Sequence, residues 1–200
     1  MPENIKLNKV SLREQKQKLG MYQRFLPALE ARKQLFLLQQ SQVRKAIQEK
    51  FLQLEASLKA AETFSPLFRE MEGILRPFLE IEQLKSSVKN FAGLRVPQLD
   101  GIVFHQPAYG FFDTPYSFEA VRDTARNIIY LKTELKFLQD QDLLLTEGLR
   151  KTSQRINLYE QRLMPDCRDA IRHINVYLQD QRAVAVGVAK AAKRLSAVSF

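Results

Sequence analysis

Counting by sevens from Val121 gives Val121, Ile128, Leu135, Asp142, Leu149, Ile156, Leu163, Ala170, Tyr177, Val184 and Ala191. Ten of these eleven positions are apolar or aromatic, far more than a chain of 45% apolar composition yields by chance. A second column, Thr124, Leu131, Leu138, Leu145, Thr152 and Tyr159, runs beside it and then loses its apolar character at Asp166, His173, Asp180 and Gly187. Apolar residues repeating every seven positions form a seam along a helix, and another helix must cover that seam. The pattern predicts a helix over residues 117–195, roughly 115 Å long at ~1.5 Å per residue, too long for an ordinary globular domain.

A weaker version of the same pattern occupies residues 8–62, where Gly20 and Pro27 are the only breakers. Its columns are Leu12, Leu19, Leu26, Lys33, Gln40, Ile47, Leu54 and Gln15, Tyr22, Leu29, Phe36, Val43, Lys50, Ser57. Two such helices pair antiparallel or bind other chains. Antiparallel facing residues have a constant sum of residue numbers. Setting Pro27 against Pro165 puts that sum at about 192 and places Lys50 opposite Asp142, two polar intruders in one layer. Lys50 and Asp142 are therefore the expected register pair.

Residues 63–117 change character. Ser65 and Pro66 read as a helix start, with a helix to about Asn90 strained at Pro77. Leu94, Arg95, Val96, Pro97, Gln98 and Leu99, then Asp100-Gly101, then Ile102, Val103, Phe104 and His105 read as strand, turn, strand. Pro97 cannot donate to a ladder, so its strand is at an edge or irregular. Phe104, Tyr109, Phe111, Phe112, Tyr116 and Phe118 give the hairpin an apolar surface, and a lone hairpin must pack on something. The expected architecture is all-α. It is a long antiparallel two-helix coiled coil with a short extra helix and a small β-hairpin at the end away from the termini. Its segments are 1–62, 63–117 and 118–200. The hairpin should dock beside the coil.

The net charge of +9 is segregated. Residues 1–33 hold eight bases and three acids, residues 182–200 hold four bases and no acid, and the stretch between is neutral with 19 of each. Antiparallel pairing brings Lys6, Lys9 and Arg13 to the same end as Arg182, Lys190, Lys193 and Arg194, making one basic tip. The run Ala183–Ala189 is uncharged on every face, and such a helix end is normally enclosed. An apolar and basic tip points to a protein socket. Exposed aromatics are not interleaved with its bases, which argues against nucleic acid.

Catalytic chemistry is not visible. His105 and His173 lie on different elements without metal-ligand neighbours, and Cys167 lacks a paired histidine. Glu80/Glu82 and Asp140/Asp142 are spaced to point to different helix sides, and no glycine-rich phosphate loop occurs. A single cysteine fits a reducing compartment, and no stretch is long and apolar enough to span a bilayer.

Several segments resemble a known family. Thr152-Ser153-Gln154-Arg155-Ile156-Asn157-Leu158-Tyr159-Glu160, then Leu163-Met164-Pro165 and Ile171-Arg172-His173-Ile174, resemble the D subunit of the V-type (vacuolar and archaeal A-type) rotary ATPases. Asn90-Phe91-Ala92-Gly93-Leu94-Arg95-Val96-Pro97 is similar to that family's entry into its hairpin, and Lys16–Leu19 and Ala31–Lys33 match more loosely. Ala183–Val188 departs from the family's charged C-terminal segment. The resemblance implies a central-stalk rotor with no catalytic residues and no cofactor, coupling proton or sodium transport to ATP synthesis or hydrolysis. Its implied partners are the hexameric head of A- and B-type subunits, a small F-type stalk subunit and a funnel-shaped C/d-type subunit above the membrane ring. Its implied location is cytoplasmic and peripheral to the membrane, without insertion. The alternatives are a coiled-coil tether joining two partners without rotation and, more remotely, a basic coiled coil that binds nucleic acid.

Overall fold

The computed structural model describes residues 6–63, 65–110 and 114–198, so Phe111 and Phe112 lie outside the described residues. In chain order it contains helix α1 (Lys9–Glu62), helix α2 (Ser65–Leu79), strand β1 (Ile81–Phe91), strand β2 (Leu94–Phe104) and helix α3 (Phe118–Leu158). A π-helical turn (Tyr159–Leu163) and helix α4 (Met164–Val198) follow. The chain is mostly helical, with one short helix and one antiparallel hairpin. Two compact units divide it: Met1–Lys33 with Lys151–Phe200, the terminal unit, and Gln34–Arg150, the hairpin unit.

In the hairpin unit the heptad pattern does what its spacing dictates. Phe36, Gln40 and Val43 of α1 are buried, as are Leu131, Leu135 and Leu145 of α3. Phe36, Val43 and Leu145 form one core with Ile47, Leu138 and Leu149, and Phe91 and Leu94 of the hairpin pack on it. A second core joins Met71, Leu75 and Phe78 of α2 to Phe118 and Val121 of α3. Residues 71, 75 and 78 share one helix face, so α2 is a short amphipathic helix. The register differs from the one that the prolines suggest. Gln40 Nε2 donates to Thr146 Oγ1 at 2.8 Å, Arg44 binds Asp142 at 3.1 Å and Lys50 binds Glu134 at 2.9 Å. These pairs have sums of 184 to 186, one heptad away from 192. Each proline is accommodated locally, so nothing requires the two to be opposite. Pro27 lies inside an unbroken α1, and Pro165 follows the π turn.

The hairpin also differs from its sequence reading. The second helix stops at Leu79, two residues after Pro77, and residues 81–91 are strand. The turn is Ala92–Gly93, with φ of 49° and 82°, the two-residue geometry that matches strand twist. Asp100-Gly101 lies inside β2. Lys85 pairs with Gly101 and Ser86 with Leu99, leaving Asp100 as the extra residue of a β-bulge, where it accepts a hydrogen bond from Ser87 Oγ at 2.9 Å. The base of the hairpin is closed by Arg126, which donates to the Phe78 and His105 carbonyls at 3.0 Å each and lies over the Phe104 ring.

In the terminal unit, α1 starts on Asn8, whose side chain accepts the Ser11 N–H at 2.7 Å as an N-cap. The π turn is explained by Pro165, which has no N–H to offer the preceding turn. Met164 N–H instead bonds Tyr159 O, one residue further back than α geometry requires. The turn absorbs one residue. Thr152 is buried before it, and Cys167 and Ile174 are buried after it, one position later than a strict count by sevens from Thr152. The predicted single helix over 117–195 is thus two α-helices in different phase.

Candidate functional site

The predicted basic tip belongs to the terminal unit. Lys6, just before α1, and Lys9 and Arg13, in its first turns, are exposed, and Arg182, Lys190, Lys193 and Arg194 are exposed in the last turns of α4. The Tyr22 and Tyr159 rings meet at a 40° tilt with centroids 5.1 Å apart, and the Lys18 charge acts on the Cys167 thiol. Those pairs have sums of 181 and 185, so the residue opposite Lys9 lies near Ile174. The two basic groups are therefore not side by side. Arg182 and the three later bases lie on turns past the start of α1. Ile174 is fully buried, whereas every residue from Gln179 to Leu195 is exposed. Val184, Val186 and Val188 are 65%, 54% and 64% exposed, an apolar surface carried between basic residues.

The expected Lys50–Asp142 pair is not formed, because the register shift gives each residue another partner. Lys50 binds Glu134 with both side chains largely covered. Asp142 is held by Arg44, whose side chain remains mostly exposed. The sequence gives Arg44 and Glu134 no special standing, since both sit beside the seam columns rather than in them.

Among the hairpin residues, Val96 is buried, Pro97 is half-buried and Asp100 is exposed in its bulge. Gly101 and Phe104 are half-buried. Gln141 Nε2 donates to Pro97 O at 2.7 Å, tying β2 to α3. Phe91 meets the Phe36 ring at 6.3 Å, and a side chain at Gly148 would touch Leu94. The hairpin thus lies along the side of α1 and α3 within its own unit.

Burial pushes the Cys167 thiol up, which weakens it as a nucleophile. Among the described residues no group of three or more His, Cys, Asp or Glu is placed to hold a metal ion, and no helix is long and apolar enough to cross a membrane.

A family model described as the ATP synthase D subunit matches residues 11–194. The chain belongs to the ATP synthase D-subunit family. It is 35% identical over 192 residues to the V-type ATP synthase D subunit of Borreliella burgdorferi, covering 94% of this chain and 93% of that protein. It is 33% identical over 199 residues to the V-type ATP synthase D subunit of Chlamydia trachomatis serovar L2, covering 97% of each. In this member of the family the segment that carries the resemblance, residues 152–160, is a packing segment. Thr152 and Ile156 are buried and Tyr159 packs against the Tyr22 ring as the π turn begins. The Arg126 clamp and the tyrosine pair have no signature in the sequence. The π turn has one, since the second seam column turns polar at Asp166 and His173 just where the phase changes.

Proposed function

We propose that this protein is a non-catalytic central-stalk rotor of a V-type ATPase or ATP synthase, transmitting rotation between an ion-conducting membrane part and an ATP-handling head. The observation that carries the reading is the exposed end of α4 beyond a seam whose last buried residue, among the described residues, is Ile174. From Gln179 to Leu195 this exposed helix presents valines and cations together, which suits a bearing inside a protein sleeve better than a solvated end. The basic residues, Lys6, Lys9 and Arg13 nearer the seam and Arg182, Lys190, Lys193 and Arg194 beyond it, face acidic loops of the head subunits. Their charge steers assembly and sets its salt sensitivity. The hairpin and α2 contact the membrane-side partners and modulate hydrolysis or seating.

The test is mechanical. With the head immobilised and a bead fixed to this protein through an exposed residue of β1, the bead should turn in one direction during ATP hydrolysis. A bead that stays still while ATP is consumed at the normal rate would establish a tether. Failure to co-purify with any ATPase subunit would exclude both assignments within the complex.

A further inference from the structure

Arg126, which closes the base of the hairpin, also forms one wall of a cavity of about 480 Å³. Arg122, one helical turn earlier on α3, stands beside it, with Phe78, Gln106, Pro107 and Tyr109 among the other lining residues. Positions 122 and 126 are four apart, so the helix itself sets two guanidinium groups side by side, where like charges repel. Burial pushes the Arg126 guanidinium below its ordinary value, and the Arg122 charge pushes it further the same way. The acids nearby are engaged elsewhere. Asp123 accepts from Arg122 Nε at 2.9 Å and Glu119 accepts from the Tyr109 hydroxyl at 2.9 Å. Among the described residues no acid lines the cavity. Arg122 Nη1 donates to the Tyr109 oxygen, and Arg126 uses Nε and Nη2 on the Phe78 and His105 carbonyls. Arg122 Nη2 and Arg126 Nη1 are left without a hydrogen-bond partner among the described residues.

We propose that this cavity binds a phosphate group, free or carried on a small ester, between Arg122 and Arg126. An arginine fork matches the oxygens of a phosphate, and two forks can hold one tetrahedral anion from two sides. A carboxylate has only two oxygens to share between them. The cavity has the size of a small-molecule site and is roomier than a bare phosphate needs. An ester body has Pro107 and the Tyr109 ring, both half-buried, to lie against. A bound dianion would cancel the repulsion between the arginines and hold Arg126 to its two carbonyls. One carbonyl belongs to the end of α2 and the other follows β2, beside the bond from His105 N–H to Glu80 O at 2.9 Å. Occupancy would therefore firm the base of the hairpin. The site needs only this chain's own residues and does not depend on the rotor reading.

The full-length chain, prepared in chloride, is titrated by calorimetry with inorganic phosphate and with adenosine monophosphate at fixed ionic strength. At least one of the two should fill a single saturable site with a Kd of about 1 mM or tighter. Tighter binding of the monophosphate would assign the ester, and equal or tighter binding of phosphate the free ion. Arg122→Gln should weaken binding about ten-fold or more. The His105 amide should exchange more slowly with ligand present, and this slowing should vanish in Arg122→Gln. Should Arg122→Gln lose helical content, Gln106→Glu decides in its place: Gln106 is exposed, and a carboxylate there should repel the ligand and weaken binding in the same direction. No saturation by about 10 mM of either probe, or binding that the deciding variant leaves unchanged, would overturn the site and leave the rotor reading intact.

Discussion

Ala92 stands at φ 49° in the two-residue link between β1 and β2, with Gly93 at 82°. Left-handed backbone costs a residue with a Cβ roughly 1–2 kcal/mol, so Ala92 carries strain that glycine would not. The Asn90 side chain offsets part of it by accepting the Gly93 N–H at 3.1 Å. Ala92→Gly should stabilise the hairpin by about 0.5 kcal/mol, the relief of strain being partly cancelled by the freer unfolded chain. Slower amide exchange across β1 and β2 would bear this out, and faster exchange would refute it. The same residue explains why the sequence points to a turn elsewhere. Asp-Gly is the stronger hairpin signal in isolation, and an alanine at positive φ announces nothing. Register was illegible for a related reason: Lys50 and Asp142 both find partners off the seam, in Glu134 and Arg44, because long side chains reach across to whichever opposite charge the apolar layers bring near.

Strand β1 reads as helix in the sequence because every residue from Ile81 to Asn90 is exposed. Without a buried face no alternation is written into it, and Leu84 and Val88, four apart, imitate one side of a helix. The buried elements were legible in proportion to their apolar periodicity: α1, α2 and α3 carry it. Helix α4 carries it only after a shift of one residue. That shift makes a prediction about the π turn. Deleting Gln161, an exposed residue inside it, together with Pro165→Ala to restore the missing N–H, should give a continuous α-helix with Cys167 and Ile174 in phase with Thr152. Its thermal midpoint should stay within about 5 °C of the parent. Deleting Gln139 from unbroken α3 rotates every later seam residue by about 100° and should lower the midpoint far more. Equal losses in the two deletions, read by circular dichroism, would mean that the π turn is not absorbing a residue.

At the scale of the whole molecule, the segregation of charge was legible because it needs no structure, only counting. What the count could not supply was how far the C-terminal helix outruns the start of α1. That depends on a register one heptad from the expected one. The shift lengthens the exposed end and separates the two basic groups along the terminal unit. Truncation after Ala183 removes Lys190, Lys193 and Arg194 and the exposed valines at 184, 186 and 188, but, among the described residues, no buried residue of α4, the last of which is Ile174. The isolated truncated chain should therefore unfold within about 2 °C of the full-length one, since surface removal away from a core is nearly neutral. In the assembled complex the outcome should differ. ATP hydrolysis should persist, but ion transport per ATP should fall by about half or more as the shaft loses its bearing. The residual coupling should become more sensitive to salt, because Lys6, Lys9, Arg13 and Arg182 are then left to hold the end by screened charge alone. If truncated and full-length chains couple equally well at physiological ionic strength, the exposed helix is a solvated end and its cations serve solubility.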